Sequence, residues 1–234
     1  MIPLSTRAAA QPAPSLRQFV SHQQACSALV ARVAADLDLA VERHGVASLA
    51  VPGGTTPAEF LLSLGYRDLD WTAIQVTLTD ERWVPPTHER SNAALVSRTL
   101  GRSGRPYRWF PLWRAGSAAE VAVPDVERES ADLAWPLDVV VLGMGDDGHV
   151  ASLFPGDESG FAAAGSSRFA AVRGPGDEPR ISLTASTIAR ARSVYLLIRG
   201  SDKRAVLRAA SGRDLPIARV IAARQGKLDV YASP

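Results

Sequence analysis

Asp147 and His149 stand two residues apart in the stretch GMGDDGH, residues 143–149, among Gly143, Gly145 and Gly148. A histidine beside a carboxylate can serve as a general base whose ring is oriented by its partner. Imidazole, with a reference pKa of about 6.5, exchanges a proton near neutral pH. The glycines permit positive φ and let a ligand approach the backbone closely. The competing reading is a turn in which Asp147 caps a helix begun by HVASLF and the histidine is incidental. The glycine density speaks against it, because each glycine costs backbone entropy with no packing gain. Asp146, Asp147 and His149 also resemble ligands of a hard metal. No second histidine stands nearby, so acid–base chemistry is preferred, and neither a metal nor another cofactor is expected.

Four further stretches carry candidate binding groups. PGGTTP, residues 52–57, offers Gly53 and Gly54 for close backbone approach, the hydroxyls of Thr55 and Thr56, and a proline that opens a helix. It reads as an anion cradle or as a tight strand-to-helix turn, and both remain open. It is neither G-x-G-x-x-G nor a Walker loop, so nucleotide binding is not indicated. TDERWVP, residues 79–85, could release Asp80 and Arg82 together toward a cleft, for hydroxyl recognition and an anion fork. Taken alone, it is a solvated charged turn. Arg180 stands at a strand start, and Lys203 falls in the first turn of a helix, where a cation opposes the macrodipole. Reaching an anion would explain Lys203; otherwise it is a solvated lysine.

These residues all follow or border predicted strands. Apolar runs mark strands at GVASLAV (45–51), within WTAIQVTLTD (71–80), at DVVVLGM (138–144) and at SVYLLIRG (193–200), with a short one at RFAAV (168–172). The spacing of Leu29, Val33, Leu37 and Val41 predicts one long helix or two short ones over 15–44. Further helices are expected at AEFLLSL, at RSNAALVSRTL with Ser91 as N-cap, and at SAAEVAVPDVERESADL, broken at Pro124. RISLTASTIARA should turn from extended to helical, SDKRAVLRAA should be a helix capped by Ser201, and LPIARVIAARQG a last helix before an edge strand, LDVYA. Residues 101–116 read as irregular and 157–179 as loop around the RFAAV strand. Alternating strands and helices with continuously apolar strands predict an α/β fold: a doubly wound, mostly parallel, Rossmann-like sheet with helices on both faces. Ligands in such folds bind at the carboxyl ends of the strands, where these residues fall.

The chain has 234 residues, 46% of them hydrophobic and 21% charged, with a net charge of +2. This balance fits a globular protein of one domain, expected over 15–234, after a loose Ala/Pro-rich tail over 1–14. A charge this small, without interleaved basic and aromatic residues, argues against nucleic acid as a partner. No apolar run is long enough to span a membrane, and cytoplasm is the expected location. Cys26 is the only cysteine, which excludes an intrachain disulfide and a Cys-rich metal site; within its helical pattern it reads as a small buried hydrophobe. His22, His44 and His88 lack a setting like that of His149.

Taken in order from residue 46 to 220, the pieces resemble the 6-phosphogluconolactonase family, which shares its fold with the glucosamine-6-phosphate deaminases. PGGTTP is similar to the family's Gly-Gly-Ser/Thr-Thr-Pro loop, and DERWVP with the following SNAAL to its second signature. LGMGDDGHVASLFPG is nearly the whole of the third, and PRISLT and LPIARV fit the later ones. The deaminase branch carries Phe-Asn-Glu-Pro where this chain has LFPG, which favours the lactonase. The resemblance implies metal-free hydrolysis of 6-phosphoglucono-1,5-lactone in the pentose phosphate pathway, by a monomer or small homo-oligomer. His149 would be the base and Asp147 the acid beside it. Asp80, Arg82 and Asn92 would contact the sugar, with Gly53, Gly54, Thr55 and Gly145 nearby. Arg180 and Lys203 would be the cations near phosphate. The alternatives are an amino-sugar phosphate isomerase or deaminase and a non-catalytic sugar-phosphate sensor. The chain departs from the family pattern in its ending, QGKLDVYASP, and in Val150 and Ser182, where threonines are commoner.

Overall fold

In the computed structural model, residues 14–162, 167–224 and 226–234 are described. The expected tail therefore lies, except for Pro14, outside the described residues.

The strands with the most continuous apolar sequence form the centre of the molecule. β2 (Ala47–Val51), β3 (Ile74–Leu78) and β6 (Val139–Leu142) are buried at every residue, as strands covered on both faces must be. With β1 (Ser15–Gln18), β5 (Arg108–Phe110), β9 (Ser193–Arg199) and β10 (Leu228–Ser233) they form a seven-stranded sheet in the order β1-β10-β9-β6-β2-β3-β5. Every pairing in it is parallel. A second, antiparallel sheet of order β4-β8-β7 joins Asp80–Arg82 (β4), Glu178–Leu183 (β8) and Phe169–Gly174 (β7).

The chain runs outward from β2 through β3 to β5, then outward the other way from β6 through β9 to β10. Right-handed crossovers in opposite directions place their helices on opposite faces. Accordingly α1 (His22–His44) and α2 (Ala58–Gly65) pack together. The pair α6 (Ala185–Arg190) and α8 (Pro216–Ala223) does likewise. The doubly wound α/β expectation is met, and the order reverses between β2 and β6, where a crevice must open at the strands' carboxyl ends.

Several local expectations are corrected. Residues 15–18 are not helical: they pair with β10, Phe19 stacks on Tyr231 with centroids 5.7 Å apart, and the helix begins after its N-cap, Ser21. Because β1 covers it, β10 is an interior strand rather than an edge. The irregular segment contains β5, and the loop-like one contains the start of β8. Pro124 does not break α4 (Ala119–Glu129); burial of Ala119, Ala122 and Val126 on the face packed against β7 and β8 outweighs one missing backbone bond. No helix begins at HVASLF. Val150 and Leu153 form an isolated bridge, and the Ser152 amide donates to Ser182 Oγ instead of a helical carbonyl. The cap of α7 (Ser201–Ala209) is Gly200, at φ +101°, and Ser201 is its first helical residue. Ser91 caps α3 (Asn92–Arg98) as expected, accepting from the Ala94 amide at 3.1 Å. Among the described residues, no helix is long and apolar enough to cross a membrane.

Candidate active site

A cavity of about 250 Å³ opens at the switch point. Gly53, Gly54, Thr55, Asp80, Arg82, Asn92, Gly145, His149, Arg180 and Lys203 all line it, although they come from six separate stretches of sequence. Asp147 stands behind His149 rather than on the wall. Thr56, Met144, Ala151 and Leu197 also line it. Ala151 carries no chemical signal in the sequence; it enters because the turn replacing the expected helix holds it at φ +51°.

The loop after β6 is folded around the histidine. The Gly145 amide donates to the His149 carbonyl at 2.9 Å, and the Gly148 amide to the Gly145 carbonyl at 3.1 Å. Asp147 Oδ1 accepts from the His149 amide at 3.1 Å and lies 2.6 Å from His149 Nδ1. Burial works against the charge of Asp147, but the His149 amide and imidazole outweigh it and hold the carboxyl below its usual range. The carboxylate is therefore the acceptor and Nδ1 carries the proton. Nε2 has no hydrogen-bond partner among the described residues. A Cβ at position 145 would lie 2.2 Å from both Cε1 and Nδ1 of His149, so only glycine lets the ring occupy this place. Phe154 packs on the ring with centroids 4.6 Å apart.

The opposite wall is built from side chains. Asp80 and Glu81 are buried, which corrects the reading of a solvated turn. Glu81 points away from the cavity and accepts from the amides of Asn92 (2.7 Å) and Ala93 (2.8 Å) and from Ser91 Oγ (2.9 Å), fixing the start of α3. Asn92 then donates to the Asp80 carbonyl at 2.7 Å and accepts from Arg82 Nη1 at 2.5 Å. Asp80 Oδ2 accepts from Ser152 Oγ at 2.6 Å and lies 3.8 Å from Arg180 Nη1. Ser182, at a place where threonine is commoner in the family pattern, supplies the hydroxyl that receives the Ser152 amide.

Arg82 and Arg180 face each other directly across β4 and β8. Like charges in that position are destabilising. Both guanidiniums are drawn below their ordinary pKa by burial, yet arginine keeps its charge in proteins. The Nε atoms of both are buried without a partner. Glu178 accepts from Arg180 Nη2 at 2.6 Å and also pairs with Arg90, balancing part of the charge. Lys203 reaches from α7 to the Met144 carbonyl at 2.6 Å and to Asp146 at 3.8 Å, so it ties α7 to the β6 loop. In the loop after β2, the amides of Gly54, Thr55 and Thr56 have no partner among the described residues, and Gly54 sits at φ +92°.

A doubly wound α/β sheet with a polar, arginine-lined cavity at its switch point is the architecture of a small-molecule enzyme. Residues 20–230 match the model of the family described as glucosamine-6-phosphate isomerases/6-phosphogluconolactonase, and the chain belongs to that family. It is 40% identical over 226 residues to a 6-phosphogluconolactonase of Rhizobium meliloti, covering 92% of this chain and 97% of the relative. It is 38% identical over 200 residues to one of Pseudomonas aeruginosa, with 83% and 84% covered. The crystal structure of a 6-phosphogluconolactonase from Shewanella baltica superposes with a TM-score of 0.89 at 32% identity, over 96% of this chain and 99% of that one.

Proposed function

We propose that the protein hydrolyses 6-phospho-D-glucono-1,5-lactone to 6-phosphogluconate, a step of the pentose phosphate pathway. The observation that carries this reading is the state of His149. Its Nδ1 is tied to an ionised Asp147, and its Nε2 is unpartnered on the wall of a cavity that Arg82 and Arg180 also line. A lactone is an activated ester and needs no covalent nucleophile. Water held between Nε2 and the lactone carbonyl gives its proton to Nε2 as its oxygen bonds to C1. The C1 carbonyl becomes an oxyanion, and Asp147 stabilises the imidazolium. Collapse then breaks the bond between C1 and the ring oxygen, which takes the proton from Nε2, so the base is regenerated.

The oxyanion needs a donor. The amides of Gly145, Gly148 and His149 are already used inside their own loop, and we assign the role to Arg82, a cation on the cavity wall. Arg180, Lys203 and the free amides of the β2 loop hold the phosphate, with Asp80 and Asn92 on the sugar hydroxyls. A bound dianion would also relieve the Arg82–Arg180 repulsion. Asp80 already accepts from Ser152 and Thr79 and neighbours Arg180. This favours an orienting role over the proton transfer at carbon 2 that an isomerase needs. The enzyme acts in the cytoplasm as a monomer or small homo-oligomer, on a small molecule. Assay of the purified protein with freshly made lactone, corrected for spontaneous hydrolysis, tests the reading. Marked acceleration is expected. No acceleration, with turnover of an amino-sugar phosphate, would replace it with the isomerase.

A further inference from the structure

Behind the β2 loop, on the side away from the cavity, three side chains of different chemistry converge. His22 and Cys26 lie one turn apart on α1, and Glu59 is the second residue of α2. One ligand atom from each lies within 4.8 Å of the other two. His22 Nε2 is at the centre: Thr56 O is 3.0 Å away, Cys26 Sγ 3.4 Å and Glu59 Oε2 4.0 Å. One ring nitrogen has one proton or one lone pair, so it cannot satisfy three neighbours. A single cation among them could.

We propose that His22, Cys26 and Glu59, with the Thr56 carbonyl as a fourth donor, form a binding site for a borderline-soft divalent ion of the zinc or cobalt type. Zinc–nitrogen and zinc–sulfur bonds of about 2.0–2.3 Å in a tetrahedron place neighbouring ligand atoms roughly 3.3–3.6 Å apart, and the distances to Nε2 bracket that range. The donor set of one thiolate, one imidazole and two oxygens suits zinc or cobalt and not magnesium or calcium. Its charge is balanced as well, since a thiolate and a carboxylate offset a divalent ion. Ser233 Oγ, 3.4 Å from His22 Nδ1, completes the arrangement as the outer partner that orients the ring. The Glu59 side chain is 43% exposed and that of His22 11%, so the ion enters past Glu59. On binding, the Cys26 thiol proton and the Nε2 proton leave to solvent or to the other ring nitrogen, and the ion takes their place. It would then join α1, the β2 loop and the start of α2. This is a clamp on the floor of the substrate cavity rather than a participant in the reaction.

Cobalt titration of the metal-stripped full chain tests this, because a thiolate–cobalt charge-transfer band can arise only from Cys26, the one cysteine. The expected result is one cobalt per chain, displaced by zinc, with that band and a raised Tm. Cys26→Ser should abolish the band. Losing Glu59, a direct ligand, should weaken binding by more than the roughly tenfold to hundredfold typical of an outer partner. Glu59→Gln is half-exposed and keeps the test decisive should the buried Cys26 variant fail to fold. His149→Ala should leave cobalt binding unchanged. Absence of the band in the wild type, an unchanged cobalt affinity in Glu59→Gln, or loss of the band in His149→Ala would each overturn the site.

Discussion

Two glycine-rich loops flank the same crevice and use glycine for opposite ends. In the loop after β6 the amides of Gly145, Gly148 and His149 are consumed within the loop, and the missing Cβ of Gly145 makes room for an imidazole. In the loop after β2 the amides of Gly54, Thr55 and Thr56 have no partner among the described residues. A Cβ on Gly53 would lie 1.7 Å from Asn92 Oδ1. The first loop shapes a reactive group; the second leaves donors open beside a binding wall. Similar composition, set by the hydrogen bonds each loop has already made, yields a loop closed around an imidazole on one side and a loop with open amides on the other; in the proposed function these are the base and the anion receptor.

The sharpest test of the first loop is His149→Ala. If His149 is the base, kcat falls by about 10²–10⁴ while product binding is largely kept. Near-normal kcat in a folded variant would remove the histidine from the reaction. Gly145→Ala leaves all the chemistry in place but pushes the ring aside. A displacement of about 1 Å can cost roughly 10²-fold, so kcat should fall by that order without a matching loss of product binding. Asp147→Asn should lower kcat about tenfold or more, because the ring loses its orienting acceptor and the imidazolium its counter-charge.

The same variant carries a pH signature. The Asp147 carboxyl lies below its usual range in the folded chain. Its contribution to stability is therefore full above the unfolded value of about 3.9 and disappears as pH falls through the lower folded value. Asp147→Asn should melt earlier than the wild type at pH 7, and the gap should close only in strong acid. A gap independent of pH would mean that the charge is not the cause. The smallest effect is expected in the second loop. Gly54 has a positive φ, but a Cβ there meets nothing within 4 Å. Gly54→Ala should cost about 1–2 kcal/mol of stability, measured by denaturant unfolding, with kcat preserved.

The sheet was legible because its strands are fully buried, and continuous apolar runs such as VVVL have no other stable place. The candidate site residues stood out because glycines and charges cluster just after the strands, where an apolar core pattern does not call for them. What stayed hidden depends on partners far away in sequence. β1 is exposed at three of its four residues and exists only because β10 offers it an edge. The helix read at HVASLF is lost to Ser182 and Asp80, which take the Ser152 amide and hydroxyl. The face-to-face pairing of Arg82 with Arg180 needs the register of β4 and β8, and no local pattern announces it. His22 had no chemical setting in the sequence because Thr56 and Glu59 reach it only through the fold.

The division between base and anion receptor is tested most directly by measuring two substrates, the phosphorylated lactone and unphosphorylated gluconolactone, on three proteins: wild type, His149→Ala and Arg180→Ala. A charged hydrogen bond is worth roughly 1.5–3 kcal/mol. Arg180→Ala should therefore lower kcat/KM for the phosphorylated lactone about tenfold to a hundredfold. It should leave the slow reaction of gluconolactone nearly unchanged, because that substrate has no phosphate to lose. His149→Ala should slow both lactones by the same factor. If Arg180→Ala slows both equally, Arg180 acts at the carbonyl or in folding, and the separation of the two walls is wrong.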